Sequence, residues 1–442
     1  MKINQKQVRN SLIVAILIAV LCASSYYYGV SSSYVGTTSE VWVNPPFSEA
    51  SYVVGQYNST YYYAENCTTG KYDFGNVAVS GGYVSSNASY VFQSCINILI
   101  SYRGGTIYTK NGIYTVTNGL TITYPSGGST IHIVGEGAGS SGATANATVI
   151  IFTGDKFLDI TNNAWTSVPE LLLENLYIRH YTKNNNSICL DLTYCQPILR
   201  NIRLSNINGT RQGTAIRTGG AACPGKTVSW YDVTVTDFGV GYYLSLDHLA
   251  LFNTVANSPK YYGFILGFGY FMCLYSPQVF VANNTYTTCR PFYVNGSMDA
   301  CQIFNPSVEM WSPLTYPIFS KSGIYADRVT IYGIDADSGS TLSSSYAATD
   351  FVFVGCRAYT YMTENIGYAT VANGEWVSHN LVTTPQCVQI TVRTYVYGSP
   401  AMPVVVSWVN TNATMFQVTV YWTNGTAITT DAINISWYAR VQ

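Results

Sequence analysis

Leu172-Leu173-Glu174-Asn175-Leu176-Tyr177-Ile178 and, 26 residues later, Ile198-Leu199-Arg200-Asn201-Ile202-Arg203-Leu204 carry the pattern that decides the fold. The pattern returns in Val228-Ser229-Trp230-Tyr231-Asp232-Val233-Thr234-Val235, and again around Asn253, around Asn283 and Asn284, and around Asn305. Each copy sets an Asn or Asp just before an alternating apolar strand. A period of roughly 20–50 residues built on short strands marks a solenoid of stacked parallel coils. Equivalent positions of successive coils lie one strand spacing apart. Asn175, Asn201, Asp232, Asn253, Asn284 and Asn305 are therefore expected to form one vertical ladder at a turn. Their short side chains suit hydrogen bonding between neighbouring coils. Such a ladder is a structural device.

The surrounding sequence extends this reading. Ser187-Ile188-Cys189-Leu190, Thr214-Ala215-Ile216-Arg217 and Pro291-Phe292-Tyr293-Val294 recur at a similar spacing and supply another wall. From about residue 365 the pattern changes to alternating runs such as Val404-Val405-Val406-Ser407-Trp408 and Phe416-Gln417-Val418-Thr419-Val420. Runs of this length separated by polar turns predict a small antiparallel β-sandwich. The expected organisation is an N-terminal targeting segment at 1–30 and a Tyr/Ser/Thr-rich leader or cap at 31–95. A parallel β-helix at 96–364 and the sandwich at 365–442 follow. The fold class is all-β.

Gly104-Gly105-Thr106-Ile107-Tyr108, then Gly112-Ile113-Tyr114-Thr115-Val116, Leu120-Thr121-Ile122 and Ile133-Val134-Gly135-Glu136-Gly137 resemble the opening coils of the pectate-lyase superfamily. That resemblance, over residues 96–360, implies a right-handed parallel β-helix. The superfamily holds lyases, hydrolases, viral tailspikes and adhesins, so the fold alone does not set the activity. Tyr368-Ala369-Thr370-Val371-Ala372-Asn373-Gly374 and the terminal Ser436-Trp437-Tyr438-Ala439 resemble a module appended to bacterial and viral β-helix proteins, and distantly H-type lectins. This second resemblance implies capping, trimerisation or sugar contact.

Composition narrows the partners. Charged residues make up 10% of the chain and the net charge is −1, which excludes the basic surfaces that nucleic acids and anionic membranes select. Lys2, Lys6 and Arg9 precede the apolar run 12–23, the layout of a secretory signal, or of an anchor if residues 12–30 stay uncleaved. Both readings export the body of the chain to an extracellular, cell-surface or virion-surface location. Sequons at Asn58, Asn66, Asn87, Asn146, Asn185, Asn208, Asn283, Asn295, Asn412, Asn424 and Asn434 agree with export. Cys67, Cys95, Cys189, Cys195, Cys223, Cys273, Cys289, Cys301, Cys356 and Cys387 form an even set that permits disulfides in an oxidising compartment. No metal-ligand spacing is present among the four His.

Candidate chemistry is sparse. In Asp335-Ala336-Asp337 the two carboxylates are two apart in a strand and so face the same way. Glu309 precedes Asp335 by 26 residues, one coil, and is expected directly above or below it. Arg328 and Arg357 stand near enough in the pattern to add positive charge. Glu309, Asp335 and Asp337 are thus the catalytic candidates if the groove cleaves a polysaccharide as a lyase or glycoside hydrolase, with Ca²⁺ as cofactor only in the lyase case. The Ser338-Gly339-Ser340 turn beside them argues instead that the aspartates cap backbone amides. The Gly-His-Gly, Asp-Asp and Arg-Ile-Lys signatures of polygalacturonase-like hydrolases are absent. His180, beside Arg179 at a strand end, is expected at an exposed polar end, and His379 is read as structural. The function expected from the sequence is an exported structural or adhesive protein that contacts glycans, as a stalk, fibre or spike that the resemblance allows to be a homotrimer. The alternative is an enzyme in the groove.

Overall fold

The computed structural model describes residues 50–442, apart from 125–128, 140–145, 163–168, 182–183, 220–227, 283–284, 323–328, 337–350, 356, 359–360, 382–383, 396–402, 430–432 and 442. The chain is a right-handed parallel β-helix followed by a small antiparallel β-sandwich. Each coil has three walls. The first and second walls meet at a sharp kink and belong to one bent sheet, as in Glu170–His180, Gln196–Asn206 and Val228–Thr236. In later coils the kink separates two strands, Leu249–Phe252 from Val255–Asn257 and Cys273–Tyr275 from Gln278–Val281. The third wall is an eight-stranded parallel sheet running from Leu120–Tyr124 to Phe319–Lys321.

Alternation explains why these residues stack. Ile133, Leu173, Leu199, Trp230, Leu251, Leu274, Ile303, Ile331 and Phe353 are successive register partners on the first wall, and all are buried. Like side chains meet like across each strand spacing, and this in-register burial is what a solenoid uses in place of a globular core. Facing them from the third wall, Tyr242, Phe264, Phe292 and Phe319 form a ladder of stacked rings with centroids 4.5, 5.2 and 5.0 Å apart. The Tyr242 hydroxyl donates across the core to the Val233 carbonyl at 2.7 Å, which ties the third wall to the second.

An open solenoid end exposes unpaired strand edges, and the N-terminal cap closes this one. The Tyr52–Gln56 and Tyr62–Asn66 hairpin pairs through its first strand, in parallel, with Gly104–Thr109. The helix Ala88–Ser101, capped by Asn87, buries Val91, Phe92, Cys95, Ile96 and Leu99 on the end of the core. Its Gln93 imitates a strand: the side-chain amide donates to the Thr121 carbonyl and accepts from the Thr121 N–H, both at 2.8 Å. This helix straddles the boundary expected near residue 95, where the sequence shows only turn signals and few strands.

At the other end, the C-terminal sandwich pairs Glu364–Val371, Ile433–Arg440 and Cys387–Tyr395 in one sheet. The opposing sheet holds Trp376–Ser378, Met415–Trp422 and Val404–Thr411. Its core closes around Phe416 and Trp437, whose ring centroids lie 5.4 Å apart.

Two sequence expectations are corrected here. Cys67, Cys95, Cys189, Cys195, Cys273, Cys289, Cys301 and Cys387 are in no disulfide. Five of them, Cys95, Cys189, Cys195, Cys289 and Cys301, are buried and serve as small apolar residues. Cys22, Cys223 and Cys356 lie outside the described residues or their described side chains. His180 is fully buried instead of exposed, packed on Phe152, with its Nε2 2.8 Å from the Gly154 carbonyl. Burial lowers its pKa, partly opposed by that carbonyl, and keeps the ring neutral. No helix among the described residues is long and apolar enough to cross a membrane, and the run 12–30 lies outside them.

Candidate functional site

The densest polar chemistry lies on the outer face of the third wall. Outward positions there are in register from coil to coil: Thr121, Asp159, Asp191, Arg217, Tyr243, Ile265, Tyr293 and Ser320. At one end, Lys156 sits between two carboxylates, its Nζ 3.1 Å from Asp159 and 2.9 Å from Asp191. The Asp191 side chain is only 3% exposed. Its Oδ1 accepts from Thr193 Oγ1 at 2.5 Å and Arg217 Nε at 3.2 Å, and its Oδ2 accepts from Arg217 Nη2 and Lys156 Nζ. Every acceptor direction of that carboxylate is therefore filled.

The electrostatics follow from these contacts. Burial alone would raise the Asp191 pKa, but hydrogen bonds from Arg217, Thr193 and Lys156 outweigh it and hold the group below its ordinary value. Desolvation works against charge on Lys156 as well, and its bonds to Asp191 and Asp159 prevail, raising its pKa. Asp191 stays ionised and Lys156 stays protonated near neutral pH. Asp159 and Asp191 are register partners on neighbouring coils, and Asp191, with all its acceptor positions filled and its charge stabilised, is held as an acceptor and is not a proton donor. The arrangement staples coils and presents polar edges.

Further along the same wall the chemistry turns aromatic. The rings of Tyr262 and Tyr293 lie 5.1 Å apart. The Arg290 guanidinium lies over two rings, 4.9 Å from the centroid of Tyr293 and 4.0 Å from that of Tyr316, which is 38% exposed. Arg290 has no carboxylate partner among the described residues, so its packing against the two rings leaves N–H donors without a carboxylate to bind. The turns bordering the wall add exposed Trp311 on one side and exposed Phe268, Tyr270 and Phe271 on the other.

The sequence's own candidates lie elsewhere. Glu309 and Asp335 are exposed on the second wall. The register partner of Asp335 is Ser307, so Glu309 sits two residues further along its strand and not directly across from Asp335. Asp337 and Arg328 lie outside the described residues, and Arg357 is placed in a short hairpin, Arg357–Ala358 with Tyr361–Met362. Among the described residues no group of three or more His, Cys, Asp or Glu is placed to hold a metal ion. Asp191 and Arg217 had a signal in the sequence. They occupy corresponding positions of the repeated third-wall strands, Asp191 immediately after the Ile188-Cys189-Leu190 run.

Asn175, Asn201, Asp232, Asn253 and Asn305 occupy the kink between first and second walls, with φ of 57°, 48°, 56°, 53° and 47°. Asn201 Nδ2 donates to Asn175 Oδ1 at 2.8 Å, and Asn253 Nδ2 donates to Asp232 Oδ1 at 3.2 Å. A left-handed backbone selects Asn and Asp because their side chains bond locally. The kink position between Asn253 and Asn305 belongs to Ser276, φ 50°, whose N–H donates to the Phe304 carbonyl. Asn284 comes after that coil's second-wall strand, Gln278–Val281, and so is replaced in the ladder by Ser276; it lies outside the described residues. Gly333 continues the row at φ 59°, where a Cβ would come within 2.8 Å of Asn305 Oδ1.

Of the sequon asparagines, Asn58, Asn87, Asn146, Asn185, Asn295, Asn412 and Asn424 are exposed, while Asn66, Asn208 and Asn434 are half-buried. Asn283 lies outside the described residues. Asn87 caps the helix, and its sequon hydroxyl Ser89 is buried, accepting from the N–H groups of Thr117 and Asn118. Asn434 accepts from Thr370 Oγ1 at 2.7 Å and lines an open cleft of about 580 Å³ on the sandwich, beside Tyr368 and Arg393. The guanidinium of Arg393 lies 4.4 Å from the Tyr368 ring centroid. His379 is buried, its Nδ1 accepting from the Leu381 N–H and its Nε2 meeting the Asn412 carbonyl at 3.1 Å.

No protein-family model matches the sequence, and no curated protein does. Among solved structures the chain is similar to ORF18 of Geobacillus virus E2, at 12% identity and a TM-score of 0.39 over 79% of this chain and 72% of that one. It is similar to the tailspike gp61 of Pseudomonas phage phi297, at 9% identity and a TM-score of 0.35 over 80% and 92%. A third is the A-module of the Azotobacter vinelandii mannuronan C-5 epimerase AlgE4, at 12% identity and a TM-score of 0.33 over 62% and 94%. The fold itself rests on the strand ladders described above.

Proposed function

We propose that this chain is an exported structural protein, a stalk, fibre or virion spike, that holds acidic polysaccharide along the outer face of its third wall. The observation that carries the reading is Arg290, a cation with no carboxylate partner among the described residues, packed against the rings of Tyr293 and Tyr316 on a wall that also presents Tyr243 and Tyr262. A guanidinium packed on rings suits bidentate contact with a uronate carboxylate, and half-exposed tyrosines suit the sugar rings beside it. The saturated Asp191 network supports retention over cleavage. A rigid solenoid with few charges and many exposed hydroxyls fits a surface role. Self-association to a homotrimer belongs to this reading, and sedimentation tests it.

Retention on immobilised polygalacturonate, with product analysis, is the test. The wild-type chain is expected to bind and to release no unsaturated or reducing ends. Arg290→Ala is expected to weaken retention at least tenfold, and Arg290→Lys to recover little of it, because an ammonium cannot reproduce the planar fork. Cleavage that disappears in Asp159→Asn or Asp335→Asn would replace this reading with the enzyme.

A further inference from the structure

The corner between the first and second walls carries a second row of aromatic rings, on the outside of the helix. Tyr231, Phe252, Tyr275, Phe304 and Tyr332 occupy the position before the kink in five consecutive coils. Their centroids are 4.8, 4.6, 4.9 and 4.7 Å apart and their planes agree within 7°. Tyr231 is 40% exposed and the other four are half-buried. Each inner ring has both faces covered by its neighbours, so the row shows solvent its edges and its phenol oxygens. Tyrosine and phenylalanine alternate, which sets a hydroxyl on every second coil, roughly 9.5 Å apart at twice the usual strand spacing. Next to this row runs the kink row, with an amide, hydroxyl or carboxylate at Asp232, Asn253, Ser276 and Asn305.

We propose that this corner binds an extended neutral β-1,4-linked glycan lying parallel to the helix axis. In such a chain each ring advances by close to one strand spacing and successive rings are flipped. Equivalent groups therefore recur every second ring, as the three tyrosine hydroxyls recur every second coil. The charge pattern also selects a neutral polymer. Within these five coils Asp232 is the only charged side chain of the two rows, and its carboxylate accepts from Asn253; past Tyr231 the outer row continues into Arg200 and Glu174, one charge of each sign. A polyanion would find one cation at the end of this row, Arg200 with Glu174 in the next coil, whereas the third wall offers Arg290 with no carboxylate partner among the described residues. The corner is thus a different surface with a different ligand class, and it stands or falls apart from the third-wall reading.

Removing the three oxygens alone tests it. The full chain is titrated calorimetrically with cellotriose, cellohexaose and chitohexaose, as wild type, as Arg290→Ala, and as the triple variant Tyr231→Phe, Tyr275→Phe, Tyr332→Phe. Phenylalanine keeps every ring in the stack, so the thermal midpoint is expected to stay put. The wild type is expected to bind at least one hexaose more tightly than the trisaccharide. The triple variant is expected to lose at least tenfold in that affinity through three hydrogen bonds, while Arg290→Ala loses none. No binding of either hexaose by the wild type would overturn the proposal. So would unchanged binding by the triple variant, or an equal loss in Arg290→Ala, which would move the site to the third wall.

Discussion

The molecule builds the same object twice, once inside and once outside. Tyr242, Phe264, Phe292 and Phe319 stack in the core; Tyr231, Phe252, Tyr275, Phe304 and Tyr332 stack on the corner, at nearly the same spacing. Parallel in-register strands impose the stacking in both places, since equivalent positions are one strand spacing apart. Their energetic weight differs with burial. The inner rings are at most 1% exposed and stabilise mainly by leaving water. The outer rings keep their edges in solvent, so they add ring–ring contact of about 0.5–1.5 kcal/mol per pair and little else. Geometry alone does not tell a core from a surface device.

That contrast breaks most sharply at the centre of each stack. Phe264→Ala should cost about 3–5 kcal/mol, because it leaves a cavity between two rings that cannot close it. Phe252→Ala should cost about 1–3 kcal/mol, the loss of its two ring–ring contacts, since water refills the gap. Denaturant unfolding of the two variants measures the difference, and equal costs would contradict the assignment of the outer row to the surface.

A second link between coils runs through charge. Asp191→Asn is expected to destabilise by about 2–3 kcal/mol, below the full loss for a buried pair because Lys156 and Arg217 are over a third exposed and rehydrate. The folded pKa of Asp191 lies below its unfolded value, so its contribution is full above about pH 4 and fades as pH falls through the folded value. The gap between wild type and variant should therefore close in acid. An unfolding series from pH 7 to pH 2 shows whether it does.

The smallest of these effects concerns the kink. Asn253→Ala should cost about 1–2 kcal/mol for holding an L side chain at φ 53°, and Asn253→Gly clearly less. Equal losses would mean that the Asn253–Asp232 hydrogen bond, and not backbone conformation, dominates there.

The Asn pattern was legible in the sequence because a left-handed kink accepts few residue types, and Asn175, Asn201, Asp232, Asn253 and Asn305 are among them. It misled at Asn284 because Ser276 and Gly333 also tolerate the kink, and neither stands out in a Ser/Gly-rich chain. Glu309 and Asp335 were paired by counting 26 residues. Coil length varies from turn to turn, and the register places Ser307 opposite Asp335 instead.

By itself, then, the sequence determined the solenoid, its walls and its C-terminal sandwich, since periodic burial and kink chemistry are local properties repeated along the chain. Only the tertiary structure decided which side chains of different coils meet. The saturation of Asp191, the packing of Arg290 against two rings and the outer ring stack are products of register, which depends on turn lengths that no single coil reveals.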